Sequence, residues 1–210
     1  MTRTLDAHAA ALGLTLAGSV IARPPADRID LARSLTATGH WVHADRIEGS
    51  YRGQAGVSFH EVHDLAAVPG IRLDVHLMVD DPAAELTGLP RRGLSRITLQ
   101  CEDLHDLAPL VRRSRTYADE VWLAVHHGPV DASRLEQSGA DGVLVLLTPP
   151  GQPGHRADLG RLPLVAATCA HGLPAGADGG VTDADLDQIR AAGARYAVVG
   201  RAMTSPSAAR

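Results

Sequence analysis

The chain has 210 residues, 45% of them hydrophobic, and a formal net charge of −4. That size suits one domain spanning residues 1–210, and the charge gives no reason to expect nucleic acid or an anionic membrane as a partner. All 20 basic residues are arginine, which excludes the lysine-dependent chemistry of Schiff-base aldolases, pyridoxal-phosphate enzymes and P-loops.

In chain order, an apolar strand pattern at residues 15–21 is followed by a helical stretch at 26–38, then Gly39 and a strand at 41–45. Helix 58–67 precedes strand 71–77, and helix 82–87 precedes strand 96–100. Asp81 can cap the helix that opens with Pro82. Helix 104–115 leads to strand 120–125, and helix 131–138, with Gly139, to strand 142–147. A Pro- and Gly-rich irregular stretch, 148–162, comes next, then helix 163–171, Gly172 and strand 173–177. Thr182 and Asp185 form a weak capping box for helix 183–192; Gly193 and strand 196–199 follow, and the tail 205–210 starts a further helix. Gly39, Gly139, Gly172 and Gly193 each stand where a left-handed helix C-cap is wanted. Repeated βα units of this kind indicate a (β/α)₈ barrel, with a doubly wound open sheet as the competitor.

Three fragments carry the chemistry: Trp41-Val42-His43-Ala44-Asp45, Leu73-Asp74-Val75-His76-Leu77-Met78 and Ala177-Asp178-Gly179-Gly180. Each ends a strand pattern with a residue that can bind a metal or move a proton, and barrels gather such residues at the C-terminal ends of their strands. Two histidines and two aspartates together make a nitrogen/oxygen donor set suited to one divalent ion, Zn²⁺, Fe²⁺ or Mn²⁺. Asp74, two residues before His76, is a candidate partner to orient that imidazole, and a buried structural carboxylate is the alternative.

From Ser19-Val20-Ile21 to Gly200-Arg201-Ala202 the chain resembles the ribulose-phosphate 3-epimerase family, on His43-Ala44-Asp45 with Glu48-Gly49, on the 73–78 block with Asp81-Pro82, and on Asp178-Gly179-Gly180-Val181. The resemblance implies a barrel of the ribulose-phosphate-binding type and an isomerase that epimerises a ketose phosphate at C3. It implies His43, Asp45, His76 and Asp178 as metal ligands, with Asp45 and Asp178 also as the two proton-transfer groups. The logic is chemical. Removing the proton beside a ketone leaves charge on two oxygens, which a metal with open positions can stabilise. Inversion then needs one group to take the proton and another, on the opposite face, to return it.

Substrate and phosphate contacts are expected from Ser19, Met78, Gly151, Gly179, Gly180, Gly200 and Arg201, with residues 148–154 as the covering loop. Several positions depart from the family pattern: Ala22 and Ile47 replace a serine and a methionine, His126-His127 replaces Asn-Pro, and Arg201 replaces a serine. The other histidines, His155 among them, are expected at the surface or at caps. The orotidine-phosphate decarboxylase type needs a lysine in its motif and is excluded. An isomerase acting on another sugar or hydroxy-ketone and a non-catalytic sugar-phosphate-binding barrel both remain open. Neither a membrane-length apolar run nor a signal-peptide pattern stands in the sequence, and two cysteines make no disulfide framework; a cytoplasmic protein, with a homo-oligomer allowed, is the expectation.

Overall fold

A computed structural model describes residues 4–51, 53, 55–102, 104–126, 131–152 and 154–204. Eight parallel strands, each hydrogen-bonded to the next, close into a barrel. They are β1 (Thr15–Ser19), β2 (Trp41–Ile47), β3 (Leu73–Met78), β4 (Leu94–Gln100), β5 (Ala118–Val125), β6 (Gly142–Leu146), β7 (Ala175–Asp178) and β8 (Tyr196–Val199). The helices are α1 (Leu5–Leu12), α2 (Arg28–Ala37), α3 (Phe59–Ala66), α4 (Pro82–Glu85), α5 (Leu107–Ser114), α6 (Ala132–Gln137), α7 (Leu162–Ala170), α8 (Leu186–Ala191) and α9 (Arg201–Thr204).

Local chemistry sets these boundaries. Asp81 Oδ1 accepts the Ala84 N–H at 3.0 Å ahead of Pro82. Both halves of the Thr182–Asp185 capping box are made, and so is a second box, Ser58 with Glu61, at the start of α3. Gly39, Gly139, Gly172 and Gly193 all have positive φ, the conformation an L side chain resists. The helix α1 has no counterpart in the sequence reading. Thr4 caps it and Gly13 ends it at φ 67°, and it packs beside α8. Its alanine-rich face carries little amphipathic contrast, which is why periodicity misses it. After β1 the expected strand turns into a 3₁₀ segment, Val20–Ala22. Strand β2 runs two residues further than expected, so His43 and Asp45 sit inside it rather than at its end. The tail 205–210 lies outside the described residues.

Strand alternation divides the core into two regions. Residues such as Val42, Ala44, Val75, Leu77, Ile97, Leu99, Val143 and Val145 belong to the large cluster shared with the helices. The opposite set, Ala17, Trp122, Ala124, Leu144, Leu146, Tyr196 and Val198, forms a smaller cluster with Trp41 packed against it. Also buried are polar residues of β2 to β4: His43, Asp45, Asp74, His76, Arg96, Thr98 and Gln100. The barrel interior is therefore apolar along β5, β6 and β8 and polar along β2 to β4. A polar wall of that kind is stable only if its groups satisfy one another or a ligand.

Candidate active site

Strand pairing brings the polar residues together. Ser19 stands opposite His43, and Asp45 opposite His76. Asp178 closes the set from β7. One ligand atom each from His43, Asp45, His76 and Asp178 lies within 4.8 Å of all the others. Ser19 Oγ donates to Asp45 Oδ2 at 3.2 Å.

Neighbouring groups decide which imidazole nitrogen faces the site. His43 Nδ1 lies 3.2 Å from Asp74 Oδ2, an atom that only accepts, so Nδ1 carries a proton. Nε2 then points into the cluster, 3.1 Å from Asp45 Oδ1 and 3.7 Å from Asp178 Oδ2. Asp74 thus orients His43, not His76 as its sequence position suggests. Register explains the difference, because Asp74 is paired with His43 across β2 and β3, and adjacent strands are closer than two residues along one strand. The partner of His76 is Gln100, whose Oε1 is 3.0 Å from Nε2. The Gln100 amide donates to Glu102 Oε2 at 2.5 Å, which turns its oxygen toward the imidazole. His76 donates through Nε2 and keeps a lone pair on Nδ1. That atom is buried, 3.3 Å from Asp45 Oδ1, and makes no hydrogen bond.

The carboxyls are pushed apart. Burial disfavours ionised Asp45, but the charge and hydrogen bond of His43 outweigh it and hold the carboxyl far below its ordinary range. For Asp178 burial prevails, with Asp45 and Asp74 adding to it, and the carboxyl rises to about 6. Burial also opposes a charge on His43, yet Asp45 and Asp74 together raise it well above the usual histidine value. A cluster that draws a proton onto His43 between carboxylates is one in which a metal cation can take that proton's place.

Above these groups lies a cavity of about 340 Å³. Ser19, Met78, Gly151, Gly179, Gly180, Gly200 and Arg201 all line it, together with Asp45 and Asp178. His43 and His76 are fully buried beneath. Ala22 and Ile47 line the wall, so two of the family departures face whatever binds there. A Cβ on Gly179 would strike the Thr148 hydroxyl, and one on Gly180 would come within 2.6 Å of Ala157 N; both glycines let the β7 end approach the 148–157 backbone. Across the mouth, the Gly151 backbone packs directly on the Tyr51 carbonyl. His126 does not line the cavity. Its N–H is held by Glu102 and its carbonyl by Arg161, and His127 lies outside the described residues. His155, expected at the surface, is exposed but stands on the cavity rim with Thr148, Gln152 and Thr182. Gln100, Thr98 and Tyr196 were missed as supporting groups. The alternating polar positions of β4 are the signal that could have found the first two.

The sequence is 26% identical over 207 residues to a ribulose-phosphate 3-epimerase of Mycobacterium tuberculosis, covering 91% of this chain and 86% of that one. A ribulose-phosphate 3-epimerase of Mycobacterium leprae is 25% identical over 209 residues, 94% of this chain and 92% of that one. Among solved structures, phosphoribosyl anthranilate isomerase from Thermus thermophilus superposes with a TM-score of 0.66 at 16% identity, over 89% of this chain and 87% of that one, which is a likeness of fold alone. The profile of the ribulose-phosphate 3 epimerase family matches residues 15–204, and the chain belongs to that family of carbohydrate epimerases.

Proposed function

We propose that this protein inverts C3 of a ketose phosphate of the ribulose 5-phosphate/xylulose 5-phosphate type, with Asp45 and Asp178 as paired acid and base and one divalent metal as cofactor. The observation that carries this reading is the convergence of two imidazoles and two carboxylates within 4.8 Å at the floor of a cavity large enough for a small sugar phosphate. The donor set fits a metal. His76 Nδ1 is a buried lone pair without a hydrogen-bond donor, and His43 Nε2 faces two carboxylates. His43, Asp45, His76 and Asp178 would hold the ion, which would supply stabilisation of the negative charge that develops on two neighbouring substrate oxygens.

The chain's own groups do the rest. Asp45, ionised and held by the Ser19 hydroxyl, is ready to accept a proton from C3. Asp178, from another strand, is the partner that returns one. The roles exchange for the reverse epimer. Met78, Ile47 and Ala22 give an apolar wall that limits water, while Gly179, Gly180, Gly200 and Arg201 would receive the phosphate.

The test is proton NMR of metal-loaded protein with D-ribulose 5-phosphate in D₂O. Loss of the C3 proton signal with xylulose 5-phosphate appearing is expected, and D45N and D178N should each abolish it. Ligand binding without exchange, in ribulose 5-phosphate and in other ketose phosphates, would reduce the protein to a binding barrel. The altered lining at Ala22, Ile47 and Arg201 favours a second outcome, exchange with a different ketose phosphate only.

A further inference from the structure

Below the metal-ligand cluster a guanidinium is enclosed inside the barrel. Arg96 of β4 is buried, and its Cζ lies 3.8 Å from the Trp122 ring centroid, 4.4 Å from Trp41 and 4.5 Å from Tyr196. Its edge is hydrogen-bonded to Glu120, and its buried Nη1, which makes no hydrogen bond, is turned toward Asp74. Nε and Nη2 donate to Glu120 Oε2 at 3.0 and 2.7 Å, and Nη1 faces Asp74 Oδ2 at 3.6 Å. Trp122 Nε1 fixes the same Glu120 oxygen at 3.1 Å. Asp74 also accepts from Thr98 Oγ1 at 2.8 Å and from the Tyr196 hydroxyl at 3.0 Å, and it is the atom pair Asp74 Oδ2 and His43 Nδ1 that turns His43 Nε2 to the site.

We propose that Arg96 is a positioning residue of the metal site: clamped between three aromatic rings, it anchors Asp74, and Asp74 holds the His43 imidazole with Nε2 toward the ion. The inference rests on the metal-site reading given above. Thr98 and Tyr196 are neutral donors, and Arg96 is the cation beside this buried carboxylate besides the histidine it orients. A guanidinium suits the task because its flat faces stack on rings while its edge holds Glu120 and keeps positive charge toward Asp74, which a lysine ammonium does not do. Without it Asp74 would be a buried charge with a weaker hold and more than one rotamer, and His43 would lose its fixed aim. Removal of such outer partners typically costs about 10- to 100-fold in metal affinity.

The experiment uses the full chain, with Zn²⁺ alone as probe. Zn²⁺ affinity is measured by calorimetry, and the His43 Nδ1–H signal of the Zn²⁺-loaded protein is followed by ¹⁵N-resolved NMR. R96M, which keeps an apolar stem among the rings, is expected to weaken Zn²⁺ at least about tenfold and to speed exchange of the His43 Nδ1–H with water. R96K, which keeps a charge in the cage, provides the reading if R96M does not fold, and is expected to weaken binding in the same direction. W122F loosens the cage without touching Asp74; it should lower the melting temperature and weaken Zn²⁺ less than R96M does. Folded R96M or R96K with wild-type affinity and a wild-type His43 signal would overturn the proposal, as would W122F weakening Zn²⁺ as much as either. If the wild type itself binds no Zn²⁺, the metal-site reading fails instead.

Discussion

At the scale of single residues, the site works through opposed environments. Asp45 and Asp178 are the same side chain, yet histidine neighbours hold one ionised while burial lifts the other to about 6. The folded value of Asp178 lies above its ordinary one, so in the metal-free protein its protonated form contributes stability at low pH, and that contribution is lost as pH rises through about 6. The Asp178 carboxyl ¹³C shift should therefore titrate near 6 without metal. Added Zn²⁺ should displace the proton and move the inflection to lower pH. An inflection in the ordinary aspartate range without metal would contradict the environment described for Asp178. Cys101, by contrast, is chemically quiet, because burial pushes its thiol up to about 12.

At the scale of elements, α2 and α3 brace the loop that follows β2. Arg28 is buried and donates to the carbonyls of Arg23, Gly56 and Ala55 and to Glu61 Oε1 at 2.8 Å. Glu61 completes the capping box with Ser58 at the same time. Burial opposes its charge, but the Ser58 N–H and hydroxyl and the Arg28 guanidinium prevail and lower its carboxyl below the ordinary value. A lowered acid contributes stability above its unfolded value and loses it as pH falls through the folded one. E61Q, which can still close the capping box, should be less stable than wild type at neutral pH by up to about 1 kcal/mol, the worth of the ion pair with Arg28. In paired thermal melts that gap should close as the pH is lowered below the ordinary glutamate range. A gap that stays constant with pH would assign the effect to side-chain packing instead.

At the scale of the whole molecule, the loops after β2 and β6 meet beside the cavity. Gly151, at φ 68°, is the point of contact, since any Cβ there would run into the Tyr51 carbonyl. G151A should force the two loops apart and leave the cluster of His43, Asp45, His76 and Asp178 untouched. Raised KM for the ketose phosphate with a smaller change in kcat, and unchanged Zn²⁺ affinity, is the expected pattern. A loss of Zn²⁺ affinity would show that the loop contact and the proposed metal site are not separate. Among the described residues no helix is long and apolar enough to cross a membrane.

The sequence by itself determined the barrel and the candidate ligand set. Strand alternation leaves its mark on a single stretch, so His43 with Asp45 and Asp74 with His76 are legible as pairs sharing a strand face. Helix caps such as Asp81-Pro82 and Thr182 with Asp185 are local in the same way, while α1 escaped because its apolar pattern is nearly featureless. Only the tertiary structure decided who supports whom. Asp74 serves His43 because β2 and β3 pair in that register, and Gln100 serves His76 from another strand. Arg96 reaches Asp74 inside a cage whose rings come from β2, β5 and β8. His126 is buried away from the cavity by backbone bonds to Glu102 and Arg161, and His155, exposed as expected, is carried to the cavity rim by the loop after β6. The division has one physical cause: alternation and capping act between residues a few positions apart, whereas hydrogen bonds between strands depend on a register that no single segment encodes.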